Sequence, residues 1–126
     1  MLPLEQLHSL LGEQTLRDLV AAFYQRVRHD DLIGPMYPQQ DWQGAQERLA
    51  DFLVYRLGGS QAYLVKRGHP RLRMRHMPFA IGQAEAQRWV QLMDEAMAQC
   101  ALPAEAVLTL RAFFVQVAQS MRNQPG

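Results

Sequence analysis

The sequence predicts an all-α fold, and three observations lead to that prediction. Four long stretches carry apolar residues at three- and four-residue spacing, which is the spacing of one helix face. Glycine and proline separate these stretches. No stretch alternates between apolar and polar residues, as a half-buried strand would, and no hairpin turn signal occurs. With 126 residues, 48% of them hydrophobic, the chain is expected to form a single domain spanning 1–126.

Proline and glycine bound the predicted helices, because proline suits a first turn and glycine readily ends a helix in the left-handed conformation. Five helices are predicted in this way: Pro3–Leu11, about Thr15–His29, Trp42–Leu57, Gln83–Cys100, and a last helix with Pro103 in its first turn. Gly12 ends the short first helix, and Gly58-Gly59 stops the third. The four long helices would bury their apolar stripes against one another and so form the core.

Composition argues against several classes of function. A formal net charge of +1 provides no basic surface for nucleic acid. No stretch approaches the roughly 20 apolar residues of a membrane span, and no secretory signal is visible. The single cysteine, Cys100, excludes an intrachain disulfide and a thiolate metal cluster, and it suits a reducing compartment. We therefore expect a cytoplasmic protein that binds neither nucleic acid nor membrane.

Residues 67–81, which read RGHPRLRMRHMPFAI, stand apart from the long helices. Pro70 is predicted to open a short helix, and Pro78 would stop it just after His76. His76 would then lie in the last turn of a helix too short to bury a core, where it is either a solvated or capping residue or an imidazole offered to a cleft. A metal site made of protein ligands alone would need more ligands than His69 supplies. Haem needs only one protein ligand, because the porphyrin supplies four nitrogens.

Three aromatic residues bring hydrogen-bond donors towards the predicted interior. Tyr24 and Trp89 lie on the apolar faces of their helices, and Tyr37 follows the Gly34-Pro35 connector. Each buried donor needs a partner, which for any one of them can be a backbone carbonyl. Three donors that face a cleft together with His76 favour a polar pocket around a ligand.

Several motifs together resemble the group II truncated haemoglobins. They are the run from Arg67 to Ile81, Gly58-Gly59, Tyr63, Trp89, Phe23-Tyr24, Tyr37-Pro38, and Gly44-Ala45 through Arg48-Leu49. The resemblance covers about residues 10–97 and continues more loosely to the end of the chain. It implies a truncated globin fold, in which two pairs of helices form a two-over-two sandwich around haem.

The resemblance also implies roles for individual residues around haem b. His76 would be the proximal iron ligand, and Tyr24, Tyr37 and Trp89 would form the distal cluster. Ala45 occupies the usual distal-histidine position, so we expect a five-coordinate ferrous form. The remaining contacts implied are apolar walls and partners for the propionates: Leu49, Phe52, Leu53, Phe79, Ile81, Tyr63, Arg73 and Arg75, with Arg67 behind these two arginines.

The function that the resemblance implies is reversible binding of dioxygen for transport, storage or sensing. Carbon monoxide and nitric oxide would bind at the same position. An alternative is a haem enzyme for nitric oxide dioxygenation or peroxide reduction, which would need a reductase partner. A haem-free helical interaction module is a third reading. The sequence leaves open whether the protein is a monomer or a homodimer.

Overall fold

Five α-helices form the fold in this computed structural model, which describes residues 1–61, 66, 68, 76 and 79–125. They are α1 (Leu7–Leu11), α2 (Glu13–Val27), α3 (Trp42–Arg56), α4 (Gln83–Gln99) and α5 (Ala104–Ser120). Short 3₁₀ turns precede α1 at Leu4–Gln6 and connect α2 to α3 at Gly34–Met36. No strand occurs among the described residues, which confirms the all-α prediction. The long helices begin within two residues of their predicted starts, and α2, α3 and α4 end within two residues of their predicted ends.

The long helices pack as two pairs, the two-over-two arrangement that the resemblance implied. Helix α2 contacts both α3 and α4, and α4 in turn contacts α5. The core consists of residues from the predicted stripes that are fully buried, among them Leu19, Phe23, Leu53, Met93, Leu110 and Phe114. Burying each such side chain stabilises the fold by roughly 1.5–3 kcal/mol. None of the helices in the described chain is long and apolar enough to cross a membrane.

The buried faces of the helices are wider than the predicted stripes. Additional buried residues lie beside each stripe: Ala50 and Val54 on α3, Leu92 and Ala96 on α4, and Ala106 and Phe113 on α5. Helices that contact more than one neighbour bury a wider face than one stripe of i, i+3, i+4 positions describes. At the other extreme, Leu10 is 51% exposed, because α1 buries only its other side through Leu7.

The connection between α2 and α3 is organised by the carboxylate of Asp30. One oxygen accepts the backbone N–H groups of Leu32 and Ile33, at 3.1 and 2.9 Å. The other accepts the guanidinium of Arg88 on α4, at 3.0 Å. Only 7% of the Asp30 side chain is exposed, so the ion pair is largely shielded from water on the acidic side. Asp30 thereby ties the loop that leads to Tyr37 to the residue next to Trp89.

The turn after α3 requires glycine, as the sequence predicts. Gly58 has a φ of +101°, a left-handed conformation that glycine adopts without strain. A Cβ atom at this position would also overlap the backbone carbonyl of Glu5. The backbone N–H of His8 donates to the carbonyl of Leu57 at 2.9 Å, so the N-terminal segment and the end of α3 lie against each other here.

The variants Gly58→Ala and Gly12→Ala separate backbone strain from steric overlap. Gly12 also has a positive φ of +84°, but nothing lies within 4 Å of a Cβ atom there. Gly12→Ala should therefore lower the free energy of unfolding by about 1–3 kcal/mol through strain alone. Gly58→Ala should lower the free energy of unfolding by about 1–3 kcal/mol more than Gly12→Ala, because the Glu5 carbonyl must move. Urea denaturation measures both values, and equal losses would contradict the close approach at Gly58.

Candidate cofactor site

A cavity of about 390 Å³ opens between α2, α3, α4 and α5. This volume lies within the range of small-molecule and cofactor sites in proteins. Its walls are mainly apolar and include every wall residue that the resemblance implied: Leu49, Phe52, Leu53, Phe79 and Ile81. The polar residues Tyr24, Tyr37, Trp89 and His76 line the same cavity. The structure therefore brings together nine of the residues that were expected to form one site, and Ala45 lines the same cavity.

Helix α5 supplies a wall that the sequence analysis did not assign to the site. Its contribution consists of residues in or next to the predicted core stripe: Phe113, Phe114, Val117 and Ala118, followed by Met121 after the helix. The ring of Phe113 stacks on that of Phe52, with centroids 6.4 Å apart. An apolar stripe looks the same in a sequence whether it contacts side chains or a cofactor, so no residue pattern marks this wall.

Ring contacts hold the three aromatic donors in place. The rings of Tyr24 and Tyr37 meet edge to face with centroids 5.5 Å apart. Trp89 packs between Phe23 and Phe114, at 5.2 and 5.6 Å. Such edge contacts are each worth about 0.5–1.5 kcal/mol beyond the area that they bury. The donors are therefore held by neighbours on several elements before any ligand enters.

A second aromatic layer lies behind Tyr37. The indole of Trp42, the first residue of α3, stacks on the Tyr37 ring at 5.7 Å with an interplanar angle of 23°. The guanidinium of Arg28 lies 5.6 Å from the centroid of the Trp42 ring, within the range of cation–π contacts. Trp42 thus covers one face of the Tyr37 ring.

The hydrogen bonds among the donors converge on the oxygen of Tyr37. Burial raises the pKa of Tyr37 to about 12, although hydrogen bonds from Trp89 and Tyr24 act in the opposite direction. Burial is also the main cause that raises the pKa of Tyr24, and the adjacent Tyr37 adds to it. The indole N–H of Trp89 can only donate, so the Tyr37 oxygen is its acceptor, whereas either tyrosine hydroxyl can donate to the other.

His76 contributes an imidazole to the cavity wall. It is half-buried, and its ring centroid lies 6.4 Å from that of Phe79. No group of three or more histidine, cysteine, aspartate or glutamate side chains that could hold a metal occurs in the described part of the chain. An apolar cavity with a single imidazole on its wall fits a metal that brings its own ligands, as haem iron does.

The remaining predicted contacts lie outside the described residues: Tyr63, Arg67, Arg73 and Arg75. Among the described residues that line the cavity, the arginine is Arg48 on α3, which the sequence analysis did not assign to the site. Its guanidinium lies 3.3 Å from the carboxylate of Asp41 and its side chain is 43% exposed. The sequence does contain a local indication that Arg48 lines the cavity: it follows Ala45 by three positions and therefore shares its helix face.

Comparisons with known proteins agree with this geometry. Residues 7–123 match the family model described as bacterial-like globin. The group 2 truncated hemoglobin YjbI of Bacillus subtilis is 35% identical over 117 residues, which are 93% of this chain and 88% of that protein. The crystal structure of the group II truncated hemoglobin from Bacillus anthracis superimposes with a TM-score of 0.91 at 30% identity, covering 100% of this chain and 96% of that one. The truncated oxygen-avid haemoglobin from Bacillus subtilis gives a TM-score of 0.87 at 34% identity, with 92% and 98% covered.

The raised pKa of Tyr37 predicts a loss of stability in alkali. An unfolded tyrosine ionises near pH 10, whereas Tyr37 in the folded protein ionises near 12. The contribution of Tyr37 to the free energy of unfolding is therefore fully present below about pH 10 and is lost as the pH rises towards 12. Between pH 9 and 11.5, Tyr37→Phe should lose about 1–3 kcal/mol less unfolding free energy than the wild type. Denaturant titrations at both pH values test this, with Tyr55→Phe, outside the cavity, as control. Equal losses of unfolding free energy in the wild type and in Tyr37→Phe would contradict the raised pKa of Tyr37.

Proposed function

Because the chain belongs to the bacterial-like globin family, as a group II truncated haemoglobin, we propose that it holds haem b in this cavity and binds dioxygen reversibly. The observation that carries the proposal is one apolar cavity lined by both an imidazole, His76, and three aromatic donors. The similarity to a protein described as an oxygen-avid haemoglobin supports dioxygen as the ligand. Carbon monoxide and nitric oxide would be competing diatomic ligands.

The walls of the cavity suit the porphyrin, which is a large apolar plate. Leu49, Phe52 and Leu53 on α3 face the cavity on one side, and Phe79 and Ile81 follow His76 in the chain. Burying the plate against such side chains is favourable in proportion to the apolar area removed from water. His76 is the residue that would hold the haem iron, and the iron would supply the site at which a diatomic ligand binds.

The two propionates would need cationic partners at the mouth of the cavity. Arginine suits them because its planar fork matches a carboxylate. We assign Arg48 to this role besides Arg73 and Arg75, with Tyr63 nearby. Its ion pair with Asp41 is exposed and therefore worth only about 0–1 kcal/mol. Arg48 can thus exchange that partner for a propionate at little cost. Asp41 would keep its other role, in which it accepts the N–H of Gly44 and caps α3 at 3.0 Å.

The aromatic cluster is the proposed means of retaining dioxygen. Bound dioxygen carries partial negative charge and accepts hydrogen bonds. Tyr37 would donate to it, and Trp89 would move its single N–H from the Tyr37 oxygen to the ligand. Tyr24 would orient Tyr37 through the hydrogen bond between their hydroxyls. Each bond to a charged acceptor is worth about 1.5–3 kcal/mol. Ala45 is small, and His76 is the single histidine among the described lining residues, so no second imidazole from that lining would close the site.

Absorption spectra of the haem-loaded protein test this proposal. The reduced protein should be mainly five-coordinate, and carbon monoxide should shift its Soret band. His76→Ala should lose this spectrum or its haem, and added imidazole should restore it, because the free imidazole replaces the missing side chain. His29→Ala is the matched control, since His29 is exposed and does not line the cavity. A wild type without a Soret band, a mainly six-coordinate reduced form, or His76→Ala with an unchanged spectrum would overturn the proposal.

Stopped-flow measurement of dioxygen release tests the role of the donors. Trp89→Phe keeps a ring between Phe23 and Phe114 but removes the N–H group. Release should become about ten- to a hundredfold faster, the factor for losing one bond to a charged acceptor. Trp42→Phe keeps the stacking on Tyr37 and should stay within about threefold of the wild type. An unchanged rate in Trp89→Phe would show that the indole does not hold the ligand.

A further inference from the structure

Asn123, the single asparagine of the chain, links the C-terminal segment to the segment that carries His76. It lies three residues after α5 ends, and its backbone N–H donates to the carbonyl of Ile81 at 2.8 Å. Its side-chain oxygen accepts the N–H of Ile81 at 2.9 Å. The two residues therefore exchange a reciprocal pair of hydrogen bonds across 42 positions of sequence.

The amide nitrogen of Asn123 makes the remaining contacts. It donates to the carbonyl of Phe79 at 2.7 Å and, more weakly, to the carbonyl of His76 at 3.4 Å. The assignment of the oxygen and nitrogen is unambiguous, because the oxygen faces an N–H group and the nitrogen faces carbonyls. One planar side chain thus satisfies a donor and two acceptors along residues 76–81. Aspartate would retain the acceptor but lose both donors, and alanine would lose all three contacts.

The contacts fall on residues that bear on the cavity. His76, Phe79 and Ile81 all line it, and so does Met121, which caps α5 two residues before Asn123. The carbonyl of His76 also accepts the N–H of Phe79, at 3.0 Å. Asn123 therefore holds the peptide that carries the imidazole at a fixed position relative to α5, which forms another wall of the same cavity.

We propose that Asn123 is a positioning residue for the axial ligand: by holding the backbone of His76, Phe79 and Ile81 to the end of α5, it sets how firmly the His76 imidazole binds iron. This inference rests on the proposed function, since it presumes that His76 is the ligand. Asn123 itself does not line the cavity, so it would act through the lining residues whose backbone it holds.

Resonance Raman spectroscopy of the reduced, ligand-free protein gives a readout that helix content does not move. The iron–histidine stretching band should lie at a lower frequency and be broader in Asn123→Ala and in Asn123→Asp than in the wild type. Asn123→Asp should also release haem to an excess of apomyoglobin about fivefold faster and Asn123→Ala about thirtyfold faster, the factors for losing one and two ordinary hydrogen bonds besides the weak contact to the His76 carbonyl. Gln124→Ala is the matched control, because this exposed neighbour keeps its backbone N–H bond to the Ile81 carbonyl at 3.2 Å.

Amide hydrogen exchange of the haem-free protein separates the two halves of the contact. The Ile81 amide should lose protection in Asn123→Ala, but it should keep much of it in Asn123→Asp, where the acceptor remains. The inference is overturned if Asn123→Ala keeps the wild-type band and haem release, or if Gln124→Ala changes them equally. A wild type that shows no iron–histidine band would instead overturn the proposed function.

Discussion

Trp89 packs between Phe23 and Phe114, and this contact joins three of the four long helices around the cavity. The two partners lie on α2 and α5, so the indole on α4 sets the spacing of both neighbours. Phe23 and Phe114 are fully buried or nearly so, whereas Trp89 is only partly covered by protein and lines the cavity. A single side chain therefore serves both the packing of the helices and the polarity of the site, which restricts the residues that can replace it.

The segments between the helices are held by individual polar side chains. Asp30 organises the loop before Tyr37 and binds Arg88 beside Trp89, so it links that loop to the helix that carries Trp89. Asn123 performs the same task for the backbone near His76. Loops that carry functional groups have few apolar contacts of their own, and a hydrogen-bonding side chain from a rigid helix end supplies the constraint that packing cannot. The proposed ligand and the proposed donors thus depend on contacts that lie outside the cavity.

The helices were predictable from sequence because their apolar residues recur with the helix period and glycine or proline bounds them. Nine predicted site residues line one cavity, but several contributors were missed for physical reasons. Phe113 lies beside the expected stripe, and its ring packs on Phe52 of another helix. Arg48 has the sequence character of an exposed helix residue. Asn123 makes its contacts 42 to 47 positions away, and no local pattern encodes such a separation. The propionate partners Arg73 and Arg75, like Tyr63, stay predictions, because they lie outside the described residues.

The location of the indole rings has a consequence for how the protein can be observed. The chain has two tryptophans, and both belong to the aromatic layers around Tyr37. Its tryptophan fluorescence therefore originates entirely from these layers, without a distant indole that would dilute the signal. A porphyrin in the cavity would quench both emitters by energy transfer. Emission intensity then reports the fraction of molecules that carry the pigment, at concentrations too low for absorption.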